Sequence, residues 1–177
     1  TPTEPPLIPK TRAPGLARSF SAQRWSWLPA RAWMEAADEA MDKEYQGTYD
    51  IWGGDIDPQA VALARSNAEK AGVEDLVRFQ VADARRFARS EPYGRIVTNP
   101  PYGERMLEKK EAEGLYRDFG AAFRALPAGW SLALLSSHTE FERTFGAPAQ
   151  KKRKLYNGML KCDLFLYGKR GVPHEKT

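Results

Sequence analysis

Residues 96–105 read Ile-Val-Thr-Asn-Pro-Pro-Tyr-Gly-Glu-Arg, a short apolar run that stops at two prolines. The apolar residues predict a buried strand, and the prolines end it because they cannot donate a further ladder hydrogen bond. Proline also keeps the preceding residue extended, so we expect Asn99 and Pro100 to be held rigidly. Their carboxamide and carbonyl oxygens would then be two fixed acceptors beside the ring of Tyr102. This arrangement suits a flat ligand with an NH2 group, whereas the plainer interpretation is a strand-ending turn with a solvent-facing tyrosine.

The segments on either side of this stretch alternate between the patterns of strands and helices. We predict strands over residues 49–54, 76–81, 95–98 and 130–136, and helices over 29–44, 58–71, 111–126 and 140–145. A closing hairpin is predicted over residues 154–167, with Asn157-Gly158 at its turn. This alternation predicts an α/β fold with a mostly parallel sheet, to which the hairpin adds an antiparallel part.

Composition narrows the class of protein. The chain has 177 residues, of which 42% are hydrophobic and 28% charged, which predicts a soluble globular domain without a membrane span. The single cysteine, Cys162, excludes an intramolecular disulfide and favours a reducing cytoplasm. The two histidines, His138 and His174, are too few and too far apart to suggest a metal site.

The formal net charge of +4 is modest, but basic residues are clustered. Each cluster could be ordinary solvated surface. Beside a motif that suits a nucleobase, however, clustered cations favour contacts with phosphate groups. We therefore predict nucleic-acid contacts at Lys151, Lys152, Arg153 and Lys154, and at Arg105 next to the proline motif.

Three polar residues follow predicted strands, namely Asp55, Asp83 and Asn99. In open α/β sheets ligands bind beyond the carboxyl ends of the strands, so we expect these residues to line one crevice. Asp55 could accept both hydroxyls of a ribose, with Ile56 packed on an adenine ring. Asp83 and the backbone of Ala84 could bind the adenine edge. The alternative is that each aspartate caps the next helix, which is the role that we assign to Asp57.

These motifs resemble the class I S-adenosylmethionine (AdoMet) methyltransferases over residues 48–167. Asn-Pro-Pro-Tyr resembles their amino-group methylation motif. With Gly103-Glu104-Arg105 it is similar, more narrowly, to the THUMP-associated RNA methyltransferases of the bacterial 23S rRNA type, which methylate guanine N2. The resemblance implies a Rossmann-like fold, AdoMet as cofactor, ribosomal RNA as substrate and a THUMP domain upstream. It assigns catalysis to Asn99, Pro100 and Tyr102, and cofactor binding to Asp55, Ile56, Asp83, Ala84 and Asn99.

The chain departs from this family at its start, where the first strand and its glycine-rich turn have no counterpart. We therefore expect residues 1–177 to form a single, N-terminally truncated methyltransferase domain that binds AdoMet weakly. Its first 28 residues are a lead-in rich in proline and aromatic residues. Two alternatives stay open: a catalytically inactive RNA-binding remnant of the fold, or an amino-group methyltransferase that acts on DNA or on protein glutamine.

Overall fold

The computed structural model describes residues 13, 16, 19–44, 50–103 and 106–168. The chain divides into two compact units, Thr1–Ala82 and Asp83–Thr177, and each is described by itself. None of the helices in these described ranges is long and apolar enough to cross a membrane. The expectation that residues 1–177 form a single domain stays a prediction.

The first unit carries one pair of parallel strands. Its elements are a 3-10 turn at Ser21–Arg24, α1 at Ala30–Asp42, β1 at Ile51–Asp55, α2 at Pro58–Lys70, a 3-10 turn at Glu74–Leu76 and β2 at Val77–Val81. The two strands pair in parallel from Ile51 opposite Val77 to Asp55 opposite Val81. The start of α2 is as predicted, because Pro58 is its first residue and the Asp57 side chain accepts a hydrogen bond from the Gln59 N–H at 2.8 Å.

The described part of the lead-in segment packs through aromatic rings. The rings of Phe20 and Trp33 stack with their centroids 5.8 Å apart, which joins the segment to α1. Trp25 and Trp27 lie 5.3 Å apart and are both exposed. The earlier prolines of this segment lie outside the described residues.

The second unit carries a mixed four-stranded sheet. Its elements are a 3-10 turn at Ala84–Arg86, β3 at Tyr93–Thr98, α3 at Met106–Arg124, β4 at Gly129–Ser136, α4 at Phe141–Phe145, β5 at Lys151–Asn157 and β6 at Leu160–Tyr167. The strand order is β3-β4-β6-β5. β3 and β4 are parallel, whereas β6 runs antiparallel to both β4 and β5. The predicted α/β class, with parallel pairing and an antiparallel hairpin at the end, is confirmed.

Aromatic side chains dominate the core of this second unit. The ring of Phe141 lies 4.5 Å from that of Phe165, and the ring of Phe145 lies 4.8 Å from that of Tyr167. Such pairs stabilise a core beyond the apolar area that they bury. The buried cluster consists of Ala112, Tyr116, Phe119, Leu132, Leu134, Phe141, Phe145, Phe165 and Tyr167. It supports α3 and β4, which in turn hold the loop that follows β3.

Two local predictions are corrected by the structure. The strand at residues 96–98 is not buried on both faces, because Ile96 packs against the core while Val97 is 76% exposed. The hairpin is present, but Asn157 pairs with Leu160, so that its turn consists of Gly158 and Met159. Gly158 has a φ of 62°, which glycine adopts without a steric penalty, and this places the turn one residue later than predicted.

Candidate active site

The loop after β3 brings its polar groups together at the carboxyl end of the strand. Asn99 is exposed, and its Oδ1 accepts a hydrogen bond of 2.5 Å from the hydroxyl of Tyr102. The same hydroxyl accepts a bond of 3.3 Å from Nδ2 of Asn157, at the end of β5. Burial raises the pKa of Tyr102, so its hydroxyl keeps its proton at neutral pH. Asn99, Pro100 and Tyr102, the three residues predicted for catalysis, are therefore neighbours.

A buried hydrogen-bond chain fixes the next residue of this loop. The side chain of Tyr116 on α3 is fully buried, and its hydroxyl donates to the carbonyl of Pro101 at 2.7 Å. Its oxygen also lies 3.2 Å from Oγ of Ser136. Because the phenol has one proton and the carbonyl can only accept, Ser136 must be the donor in this second bond. Burial raises the pKa of Tyr116, which keeps that proton in place.

The same chain continues to His138 and α3. Oγ of Ser136 accepts from the backbone N–H of His138 at 3.1 Å. Nδ1 of His138 accepts from the Glu140 N–H at 3.2 Å, which leaves Nε2–H to donate to Oε1 of Glu113 at 3.2 Å. Both ring nitrogens are thus used inside the protein. Within the described ranges, no group of three histidine, cysteine, aspartate or glutamate residues could hold a metal ion.

Gly103 closes the loop in a conformation that only glycine adopts without strain. Its φ is +67°, and a Cβ at this position would lie 2.6 Å from Cα of Lys109 and 2.8 Å from the carbonyl oxygen of Glu108. The loop therefore approaches the first turns of α3 closely. Glu104 and Arg105 lie outside the described residues, so the predicted RNA contact of Arg105 stays a prediction.

Two acceptors remain at the mouth of this loop. The carbonyl of Pro101 has its donor in Tyr116, whereas no residue in the described ranges donates to the carbonyl of Pro100. Oδ1 of Asn99 is exposed and is bonded to a hydroxyl that a ligand could displace. The loop can thus offer two neutral acceptors; that they bind an amino group stays a prediction.

The loop after β1, in the first unit, is held mainly by its own backbone. Oδ1 of Asp55 accepts from the Asp57 N–H at 2.9 Å, and the Asp55 carbonyl accepts from the Ala82 N–H at 2.8 Å. Ile56 is 62% exposed although it is a large apolar residue. Both side chains are thus accessible to a ligand, and the predicted contacts of Asp55 with a ribose and of Ile56 with an adenine stay predictions.

Asp83, in the second unit, pairs with its neighbour Arg85. Its oxygens lie 2.9 and 2.8 Å from Nε and 2.6 Å from Nη2 of Arg85, and its Oδ1 also accepts from the Arg85 N–H at 3.0 Å. These bonds lower the pKa of Asp83. The aspartate therefore caps the following 3-10 turn, the alternative role considered from the sequence. A carboxylate has further lone pairs, so the predicted adenine contact at Asp83 and Ala84 stays a prediction, as does the meeting of Asp55, Asp83 and Asn99 at one crevice.

The predicted RNA-binding cluster lies on β5, where every residue is exposed. Lys152 interacts with other residues of the same unit, because its Nζ lies 2.6 Å from Oε2 of Glu142 and 5.9 Å from the centre of the Phe165 ring. Lys151 and Arg153 lie on the other face of the strand, since side chains alternate between faces. Lys154 shares the face of Lys152 and is exposed. The cluster thus presents cations on both faces of an edge strand.

Three residues of this site were missed by the sequence interpretation. Tyr116 falls in the helical series 112, 116, 119 and 123, which gave a signal for burial but none for its hydroxyl. Ser136 was seen only as the end of a strand. The sequence places Asn157 in the hairpin turn, whereas in the structure it is the last residue of β5 and its side chain contacts Tyr102.

Known proteins resemble nearly the whole chain. Residues 2–165 match UPF0020, the RMKL-like methyltransferase domain. "Putative RNA methyltransferase YpsC" of Bacillus subtilis is 40% identical over 174 residues, which are 98% of this chain and 45% of YpsC. "Ribosomal RNA large subunit methyltransferase K/L" of Shewanella baltica is 38% identical over 169 residues, 93% of this chain and 24% of that protein. The chain therefore spans less than half the length of either relative.

A solved structure gives the same result for the fold. The crystal structure of SMU.472, determined as a complex with SAH, aligns with a TM-score of 0.89 and 38% identity over 96% of this chain and 45% of its own. The family resemblance stated from the motifs is confirmed, while the THUMP domain stays a prediction. The chain belongs to UPF0020, the family of RMKL-like methyltransferase domains.

Proposed function

We propose that this chain is the catalytic part of an AdoMet-dependent RNA methyltransferase that acts on the exocyclic N2 amine of a guanine, in ribosomal RNA. The observation that carries the proposal is the pair of acceptors after β3. Asn99 is an exposed residue whose Oδ1 is bonded only to the Tyr102 hydroxyl, and the carbonyl of Pro100 has no donor in the described ranges. Because the Pro101 carbonyl is bonded to buried Tyr116, the loop that presents this pair is anchored.

The predicted cofactor is confirmed by the family and by a relative at 38% identity that was solved with SAH. When bound, AdoMet supplies a methyl group on a positively charged sulfur. In our proposal Asp55 accepts the ribose hydroxyls and Ile56 packs on the adenine. Asp83 and Ala84 bind the adenine edge, where the Ala84 N–H is the first of a helical turn and such groups lack partners within their own helix.

The chain's own residues would act on the target amine by position and charge. A guanine N2 amine is a weak nucleophile because its lone pair is conjugated with the ring. If Asn99 and Pro100 accept its two hydrogens, electron density moves to the nitrogen and the lone pair is aimed in a fixed direction. Tyr102 would stack on the base, a contact worth about 1–3 kcal/mol. The amine need not lose a proton before the transfer, so no general base has to act first, and the methylated nitrogen then releases one proton to solvent.

RNA as the substrate is supported by the names of the relatives and by the basic strand β5. Both curated relatives described above carry RNA methyltransferase names. Lys151, Arg153 and Lys154 are exposed on one strand of the unit that carries Asn99, which suits contacts with a phosphate backbone, whereas Lys152 on the same strand is paired with Glu142. A base must leave its stack before it can reach such a loop, which favours single-stranded or flipped nucleotides.

The test uses the full protein that contains this chain and AdoMet with a labelled methyl group. Unmodified ribosomal RNA should take up the label, and mass spectrometry of its nucleosides should identify N2-methylguanosine. A transcript made with inosine in place of guanosine is the matched control, since it lacks only the N2 amine. Label found in DNA, in protein glutamine or in N6-methyladenosine would contradict the proposal and identify the protein as a different amino-group methyltransferase. Binding of RNA without any transfer would identify an inactive RNA-binding remnant.

A further inference from the structure

The acceptor assigned to the target amine is already occupied inside the protein. Oδ1 of Asn99 accepts a hydrogen bond of 2.5 Å from the hydroxyl of Tyr102, which is a short bond at an exposed position. The carbonyl of Pro100 is the other acceptor, and no residue in the described ranges donates to it. An incoming NH2 group could thus donate to the Pro100 carbonyl immediately. It could donate to Oδ1 of Asn99 only after the Tyr102 hydroxyl has released that oxygen.

Asn157 holds the Tyr102 hydroxyl in this position. Its Nδ2 donates to the hydroxyl oxygen at 3.3 Å, so the proton of that hydroxyl is left to point at Asn99. Asn157 is the last residue of β5, where it pairs with Leu160 just before the hairpin turn. The three side chains form one directed chain from the hairpin to the loop after β3.

We propose that the hydroxyl of Tyr102 is a placeholder for the target amine and that Asn157 is its positioning residue. The hydroxyl presents an O–H donor where the substrate presents an N–H donor, and it keeps the carboxamide of Asn99 oriented until the amine displaces it. This inference rests on the proposed function, since it takes the target to be an amino group of a nucleobase. It adds Asn157, a residue of the closing hairpin, to the machinery of the site.

Removal of the hydroxyl should therefore improve substrate binding. Tyr102→Phe keeps the ring that would stack on the base and deletes only the competing donor. A neutral hydrogen bond of this kind corresponds to a change of roughly 2- to 10-fold, so kcat/KM for a short single-stranded RNA should rise by that factor. The affinity for guanosine monophosphate, measured by calorimetry, should rise by a similar factor without any need for turnover.

A double-mutant cycle tests the role of Asn157. Asn157→Ala should change both quantities in the same direction as Tyr102→Phe but by less. In the Tyr102→Phe background Asn157→Ala should have no further effect, because its only route to Asn99 is the hydroxyl. Tyr156→Phe is the matched control, since it deletes an exposed hydroxyl on the same hairpin.

Two results would overturn the inference. A fall in kcat and in guanosine monophosphate affinity for Tyr102→Phe would mean that the hydroxyl orients Asn99 for the substrate. Additive effects of the two substitutions would mean that Asn157 acts elsewhere. Failure of the proposed function is a separate result, namely the absence of methyl transfer by the wild-type protein. In that case the guanosine monophosphate affinities still decide whether Tyr102 competes for Asn99.

Discussion

The loops that follow β1 and β3 begin alike and are built differently. Each leaves a parallel strand and places a short polar side chain at its end, Asp55 in one and Asn99 in the other. The loop of Asn99 rests on the buried hydroxyl of Tyr116, which Ser136 supports in turn. The loop of Asp55 is held by bonds to its own and neighbouring backbone groups, and its side chains are exposed.

This difference indicates which group each loop can position accurately. A buried and fully bonded network allows little movement, so it suits a reacting atom whose direction matters. In our proposal the exposed carboxylate of Asp55, on a short turn, adapts to a flexible ribose, so it should affect cofactor binding rather than the chemical step. Substitutions in the two loops should therefore separate the rate of methyl transfer from the affinity for the cofactor.

The largest effect is expected at Asn99. Asn99→Ala should lower kcat by about 100- to 1000-fold, since one polarising contact to the reacting group is lost. Although the resemblance also assigns Asn99 to the cofactor, its proposed contact is with the amine, so the affinity for AdoMet should change by less than about twofold. Alanine can adopt the same extended backbone before Pro100, so the melting temperature should hardly move. Methyl incorporation into RNA, AdoMet calorimetry and thermal unfolding are the three measurements. An active Asn99→Ala enzyme would remove the central residue of the proposed function.

Asp55→Ala should show the opposite pattern with a smaller magnitude. Loss of charge-assisted hydrogen bonds should weaken AdoMet binding by roughly 10- to 100-fold. Transfer at saturating AdoMet should be nearly unchanged. The neighbouring carboxylate of Asp57 provides a matched control, because Asp57→Ala removes a helix cap and should cost about 1 kcal/mol of unfolding free energy instead. Equal losses of AdoMet affinity in the two variants would show that Asp55 has no special contact with the cofactor.

Tyr116→Phe tests whether the buried network supports the loop of Asn99. The variant keeps the ring but leaves the Pro101 carbonyl and the Ser136 hydroxyl without their partner. Such a loss should lower the free energy of unfolding by about 1–3 kcal/mol, measured by urea denaturation. Tyr93→Phe is the control, because Tyr93 is 70% exposed and its loss of a hydroxyl should cost nothing measurable. If Tyr116→Phe were as stable as the wild type, the contrast between the two loops would disappear.

Much of the fold could be predicted from the sequence because its signals are local. The cap at Asp57 and Pro58 starts α2, and the alternation of strands and helices gives the α/β class. The first turns of α3 were missed, because residues 108–111 are all charged and so provide no apolar face. Such a face is the main signal by which a helix is recognised in a sequence.

The candidate site was predictable only in part. Asn99, Pro100 and Tyr102 lie within four residues of one another, so a single motif contained them. Tyr116 and Asn157 reach the same loop from α3 and β5, Ser136 on β4 supports Tyr116, and these contacts exist only after the chain has folded. The role of Asp83 could not be decided from the sequence, because a carboxylate after a strand gives the same signal whether it binds a ligand or pairs with Arg85.

The smallest expected effect is on the salt dependence of RNA binding, which should differ between paired and unpaired basic residues on β5. Lys152→Ala should leave the salt dependence of RNA binding unchanged, because Lys152 is paired with Glu142, whereas Arg153→Ala should reduce its slope by about 0.7 to 0.9. The hydrogen bond from Lys152 lowers the pKa of Glu142, so this pair stabilises the fold at neutral pH. Since the pair is largely exposed, Lys152→Ala should lower the free energy of unfolding only slightly. Because the folded-state pKa is lowered, that contribution should be lost as the pH falls through it, and the two unfolding curves should converge in acid. Equal slopes for Lys152→Ala and Arg153→Ala would show that the pairing with Glu142 does not withdraw Lys152 from RNA.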